Sequence, residues 1–185
     1  MIKKQLVVLD SYLRKQRSDF YSNLNPPLED GQIEALEAKF GITVPEDLKI
    51  LYQWKNGQNS ECYESFVNNS VFMTLEEALG TAQEMTSMIG SDFDVDNWWS
   101  QYWIPIFHNG GGDHICYDIG GVFTGKKGQV IEFWHADNDR NVIAPNLQSF
   151  IESVNQFYET TPVQDFDEFF TVKDIQGFPK VFYVK

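Results

Sequence analysis

Residues 103–120 read WIPIFHNGGGDHICYDIG. An apolar run from Trp103 to Phe107 leads into three consecutive glycines at 110–112, and a second β-rich run starts at His114. This pattern predicts a strand over 103–107, a turn, and a strand over 114–119, because glycine supplies the positive φ angles of a tight reversal. In the second strand a period of two puts His114, Cys116 and Asp118 on one face and Ile115, Tyr117 and Ile119 on the other. A Cys/His/Asp relay is the competing reading, and distance argues against it. Residues two apart on a strand are separated by about 6.7 Å, whereas a nucleophile and its base must approach to about 3 Å. The stretch is therefore read as a hairpin.

Beyond the hairpin, short β-rich runs recur at 129–134 and 141–144, with turn residues between them, and Val181 to Val184 has the same character. Helical signals dominate the first half. Leu6, Leu9 and Leu13 mark a basic helix over 5–21 that ends before Asn25-Pro26-Pro27. Asp30 is placed to cap a helix over 31–40 that stops at Gly41. Pro45 is expected as the first residue of the next helix, which Asn56-Gly57 ends. Thr74 with Glu77 forms a capping box before a helix over 75–89. Asn146 caps a last helix with Phe150, Ile151, Val154, Phe157 and Tyr158 on its apolar face. Helices first and strands later predict an α+β fold in one domain spanning 1–185, with a mainly antiparallel central sheet flanked by helices.

The net charge of −13 is unevenly spread. Residues 1–20 hold five Lys/Arg against two Asp, while Asn56 to Gly125 contains ten acids and no Lys or Arg. Such a chain repels nucleic acid and anionic lipid, which need neutralising cations, and attracts a basic partner. Solubility is the plainer use of the same charge. Two cysteines make no disulfide framework. The apolar run Leu6–Leu9 is too short for a secretory core, and no stretch approaches the roughly 20 apolar residues of a membrane span. A cytoplasmic protein with reduced thiols is expected.

Catalytic and metal signatures are weak. His108, Asp113, His114 and His135 lack the spacing of HExxH, HxH or paired CxxC. Asp92-Phe-Asp94-Val-Asp96 starts like an EF-hand loop, but Asn97 and Trp103 stand where glycine and a bidentate glutamate are needed. The glycines match no phosphate loop, and no serine sits in GxSxG. The expectation is a non-enzymatic domain with no cofactor and no metal.

Several segments, taken in order, carry a family resemblance: Pro45-Glu-Asp-Leu-Lys-Ile-Leu-Tyr-Gln-Trp54-Lys-Asn56-Gly57, then Trp103-Ile-Pro105, Gly112-Asp113-His-Ile-Cys-Tyr-Asp118, Gly128-Gln-Val-Ile-Glu-Phe and a closing amphipathic helix. The chain resembles the SUKH superfamily, the Smi/Knr type, over about residues 28–158. Helix 5–21 and the extension 160–185 lie outside the resemblance. It implies a strongly bent sheet flanked by helices and no catalysis. Bacterial members are implied to be immunity proteins that neutralise a toxin domain, and fungal members to be scaffolds in cell-wall signalling. Trp54, Asn56, Gly57, Trp103, Pro105, Asp113, Asp118 and Gly128 match its recurring pattern, read as a fold signature. From composition, Glu61, Glu64, Asp92, Asp94 and Asp96 are expected to steer a basic protein partner such as a nuclease toxin domain, with Trp98 and Trp99 as anchors or as core. The alternatives are a regulatory scaffold or small-ligand or glycan-binding module related to cell-wall synthesis regulators, with Trp98, Trp99 and Trp103 as a sugar platform, and an enzyme using His108, Asp113, His114 or Cys116.

Overall fold

A computed structural model describes residues 1–185. Its centre is one open antiparallel meander. The strands are β1 (Val71–Phe72), β2 (Trp103–His108), β3 (His114–Asp118), β4 (Gln129–Phe133), β5 (Asp139–Ala144) and β6 (Lys180–Tyr183), neighbours in that order. The hairpin expected at 103–120 is β2–β3, pairing Trp103 with Asp118 and His108 with His114. Gly110 and Gly112 take positive φ in its turn, and Asn109 Oδ1 accepts from the amides of Gly111 and Asp113. Register shifts between Pro105 and Phe107 in β2 and between Val130 and Ile131 in β4 mark bulges, which kink a strand and increase its twist. Strand β1, only two residues long, was not expected from the sequence.

Both faces of the sheet are covered. Ile104, Ile115, Tyr117 and Val130 belong to the main core, under the helices. Trp103, Cys116, Ile131, Phe133 and Val142 belong to a second, smaller core with Trp99. The helices are α1 (Ile2–Gln16), α2 (Ser18–Ser22), α3 (Asp30–Phe40), α4 (Glu46–Tyr52), α5 (Leu75–Ser87) and α6 (Leu147–Thr160). Helix α5 packs on β2, α6 on β4 and β5, and α1 lies across α6 and α4. Caps set their starts. Thr74 accepts from the Glu77 amide and Glu77 reaches back to Thr74, while Asn146 Oδ1 accepts from the Ser149 amide at 2.8 Å. Glu29 rather than Asp30 caps α3, in a box with Gln32. Pro45 sits just outside α4 rather than as its first residue. None of these helices is long and apolar enough to cross a membrane.

The segments outside the resemblance are integral to the packing. Helix 5–21 is in fact two helices, broken at Arg17, whose φ is −141°. Arg17 turns inward: its guanidinium lies 3.7 Å from the Phe20 ring centre and 3.5 Å from that of Phe170, and it donates to Tyr158 Oη and Ser65 O. Ile2, Leu6, Leu9 and Leu13 of α1 are buried in the main core. In the extension, Phe166 and Phe170 pack against Phe157 and Tyr158 of α6.

Gly57 shows how tight the α4–β1 region is. Its φ is +74°, and an added Cβ would lie 2.5 Å from the Met73 carbonyl carbon. Gly57→Ala is expected to cost about 3 kcal/mol of unfolding free energy, the upper part of the range for a backbone forced out of shape. Gly41→Ala, at φ +67° with open space around the new methyl, should cost about 1 kcal/mol, the left-handed penalty alone. Urea denaturation of both variants checks the contrast.

Candidate functional site

The acidic loop after α5 is pinned to the second face of the sheet by its own apolar residues. Phe93 and Trp98 pack against the second core and Trp99 is 3% exposed within it. Asp92, Asp94 and Asp96 alternate with Phe93 and Val95 and are exposed, so the loop turns its aromatics inward and its acids outward. None of the three forms an ion pair. Arg140 holds the loop from beneath. Its guanidinium donates to the Trp98 carbonyl at 2.8 Å and to the carbonyls of Asp137 and Asp139. It is buried, and that burial lowers its pKa to about 10.

The tryptophan expectations therefore divide. Trp99 is core, its ring edge-on to Trp103 and Phe133 at 5.5 and 5.1 Å, and it has no surface to offer as an anchor. Trp103 is fully buried as well, so the sugar platform of Trp98, Trp99 and Trp103 does not exist. Trp98 is half-buried beside Arg140.

Glu61 and Glu64 lie elsewhere. With Tyr63, Glu168 and Phe169 they line a cleft of about 600 Å³. A second cleft of about 440 Å³ shares Asn69 and Phe169 with the first and is lined further by Asp113, Glu132, Trp134 and Asp174. Asp92, Asp94 and Asp96 line neither, so the five acids expected to act together fall into two groups. Gln58, buried, holds the 59–65 loop by donating to Cys62 O and Glu64 O. The opposite wall is the extension, stitched to the 67–70 turn: Asn69 N donates to Phe169 O at 2.9 Å, and Val172 N to Asn68 Oδ1 at 3.0 Å. Tyr63 is 85% exposed, and Trp134 and Phe169 are exposed by about two fifths. Sequence reasoning missed Asn68, Asn69, Glu132, Trp134, Phe169 and Asp174. The available signal was DFDEFF at 165–170, which repeats the acid–aromatic alternation of DFDVD at 92–96.

The signature residues have identifiable tasks. Trp54 Nε1 donates to Asp10 at 3.0 Å, docking α1. Asn56 Oδ1 accepts from the Leu75 amide at the start of α5. Trp103 and Pro105 are buried in β2. Asp113 accepts from the His135 amide at 2.9 Å and from Asn109 Nδ2, closing the hairpin turn on the β4–β5 connection. Buried Asp118 accepts from the amides of Gly120, Gly121 and Val122 and from Gln129 Nε2, tying the β3–β4 loop. Gly128 lies against the Tyr117 hydroxyl, where an added Cβ would come within 2.9 Å.

The chemistry-bearing side chains are held apart. No hydrogen bond joins His114, Cys116 and Asp118, and burial raises the Cys116 thiol well above its ordinary value. A thiol in that state is a poor nucleophile. His108 Nδ1 accepts from the Gly110 amide, His135 pairs with Asp113 at 2.8 Å, and His114 Nδ1 is buried without a partner. No three His, Cys, Asp or Glu side chains are grouped to hold a metal ion.

Comparison with protein families gives a match to the SMI1 / KNR4 family (SUKH-1) over residues 27–153. Comparison with curated proteins gives no match.

His114 makes the site's pH behaviour testable. Burial lowers its pKa from 6.5 to about 4, so the folded chain refuses a proton that the unfolded chain accepts. Its contribution is present above pH 6.5 and is lost as pH falls toward 4. Burial shifts the Glu132 and Asp118 carboxyls upward, which acts with the opposite sign at the acid end of that window. Denaturant titrations of wild type and His114→Gln isolate the imidazole: the variant's stability should vary less between pH 6.5 and 4.

Proposed function

Because the chain belongs to the SMI1 / KNR4 family (SUKH-1), we propose that it is a non-enzymatic protein-binding domain of the immunity type, which sequesters a basic toxin domain. The observation that carries this reading is the separation of charge. Two of the three arginines, Arg17 and Arg140, are buried, while the carboxylates of Asp92, Asp94 and Asp96 face solvent without an ion pair. No Lys or Arg lines the clefts between the 61–69 loop and the extension.

A toxin that acts on nucleic acid presents cations where phosphates bind, and an acidic inhibitor fills that site as a charge mimic. The loop acids attract the partner from a distance and raise the association rate, which is where rim charges act. Exposed Tyr63, Trp134 and Phe169 supply the contact area from which aromatic hot spots derive affinity. Free Cys62 and Cys116 fit a reducing cytoplasmic site of action. The scaffold reading shares the protein-binding part of this proposal, but its sugar-platform form loses Trp99 and Trp103, two of the three tryptophans on which it stood.

The direct test is co-expression with the basic C-terminal domain of a toxin encoded beside this chain: growth rescue and co-purification are expected, and failure of both removes the reading. With such a partner, the triple change Asp92→Asn, Asp94→Asn, Asp96→Asn should slow association about tenfold at low salt. It should also flatten the salt dependence and leave dissociation nearly unchanged. Stopped-flow mixing across a salt series measures this, and an unaltered on-rate takes the loop out of the encounter.

A further inference from the structure

We infer that the groove between the 61–69 loop and the C-terminal extension receives an extended segment of the basic partner and seats an arginine of that segment beside Glu132. This rests on the protein-binding reading above and specifies where and how the contact is made.

The groove has two adjoining parts, about 600 and 440 Å³ in volume, which meet at the Asn69–Phe169 backbone hydrogen bond, and both residues line each part. A concave channel bounded by two stretches of irregular chain suits a strand-like guest better than a flat protein surface. Asn69 offers a side-chain amide, and Asn68 an Nδ2 group, that make no hydrogen bond within the chain, so both are available to a passing backbone. Tyr63 stands at one end and Trp134 at the other, both exposed.

Charge decides what the guest carries. Six carboxylates line the groove. Glu64 reaches Arg17 at 3.4 Å and Asp113 reaches His135, but Glu61, Glu132, Glu168 and Asp174 form no ion pair. Glu132 is the most enclosed of these. Its side-chain partner is Asn141 Nδ2 at 3.3 Å, and burial, with Asp174 and Asp113 nearby, raises its carboxyl pKa. Lys173, on the extension, lines a small hollow behind Glu132 and forms no ion pair. A part-buried carboxylate with like charges around it is improved by any cation that enters. Arginine fits better than lysine. Its guanidinium is weakly hydrated, forks onto carboxylates, and stacks on an aromatic face such as the Trp134 indole.

The outer wall, with Glu168, Phe169, Thr171 and Asp174, lies beyond residue 153, where the family match ends. The choice of partner is thus made partly by a segment that the family core does not contain.

The probe is an eight-residue peptide, acetyl-Gly-Ser-Arg-Gly-Ser-Arg-Gly-Ser-amide, titrated into the ¹⁵N-labelled full chain. The expected result is movement of the Trp134 indole N–H and the Asn68 and Asn69 side-chain amides. Binding should weaken at least tenfold in Glu132→Gln and, as a second variant with an exposed side chain, in Trp134→Ala. The same peptide with citrulline, a neutral isostere, should leave those signals in place. Equal shifts with citrulline, or shifts confined to the 91–98 loop, overturn the groove. Failure here is distinguishable from failure of the broader reading. A toxin complex that survives Glu132→Gln and Trp134→Ala unchanged sinks the groove alone, whereas wild type that forms no complex sinks the protein-binding function itself.

Discussion

The central strands are buried on both faces, and this constrains everything else in the molecule. A sheet with one wet face alternates apolar and polar residues along each strand. Here Trp103, Cys116, Ile131 and Phe133 fill one side while Ile104, Ile115, Tyr117 and Val130 fill the other. The strands leave little room for charge, so an acidic chain must place its carboxylates on helix surfaces and in loops. The exceptions confirm the cost of burial. Asp118 is tolerated inside because four donors converge on it, as a buried carboxylate requires.

The same constraint explains what the buried cations do. The helices pack mainly on the first face, and the loop between α5 and β2 covers much of the second. Irregular chain over a core leaves carbonyls in need of donors. Arg140, with five N–H groups, meets those of Trp98, Asp137 and Asp139 at once. Arg17 acts similarly where α1 ends, between aromatic rings and the Ser65 carbonyl. Neither guanidinium serves mainly as a counter-ion. Arg140 forms no ion pair with a carboxylate, and Arg17 has one, to an exposed Glu64 at 3.4 Å. These two arginines go into architecture, and the carboxylates of Asp92, Asp94 and Asp96 are left exposed without an ion pair.

Strands β2 to β6, the β2–β3 hairpin, four of the helices and the caps of α5 and α6 were legible in the sequence because each is specified locally, by periodicity, a capping residue or a turn glycine. The split at Arg17 was not, since a tertiary contact with Phe170, far along the chain, sets that backbone. Trp98 and Trp99 were ambiguous for a related reason. Their neighbours are acids, which read as surface, yet the alternation in Asp92-Phe93-Asp94-Val95-Asp96 already separates an inward from an outward side. The groove was hardest to foresee. Its walls come from residues about a hundred positions apart, joined by hydrogen bonds such as Val172 N to Asn68 Oδ1, and no local pattern announces such a meeting.

Packing and exposed charge are consequently assigned to different residues of the molecule. The match over 27–153 covers the sheet through β5, with α3 to α5 and the first half of α6. Buried Trp103, packed Gly57 and internally bonded Asp118 are committed to that frame and expose almost nothing to a partner. Apart from Glu132 in β4, the exposed aromatics and unpaired carboxylates around the clefts stand on loops and on the extension, where substitution costs little stability. A frame that rigid can keep its fold while its recognition surface is rewritten. On the proposed protein-binding reading, the partner is then specified by the loops and the groove rather than by the frame.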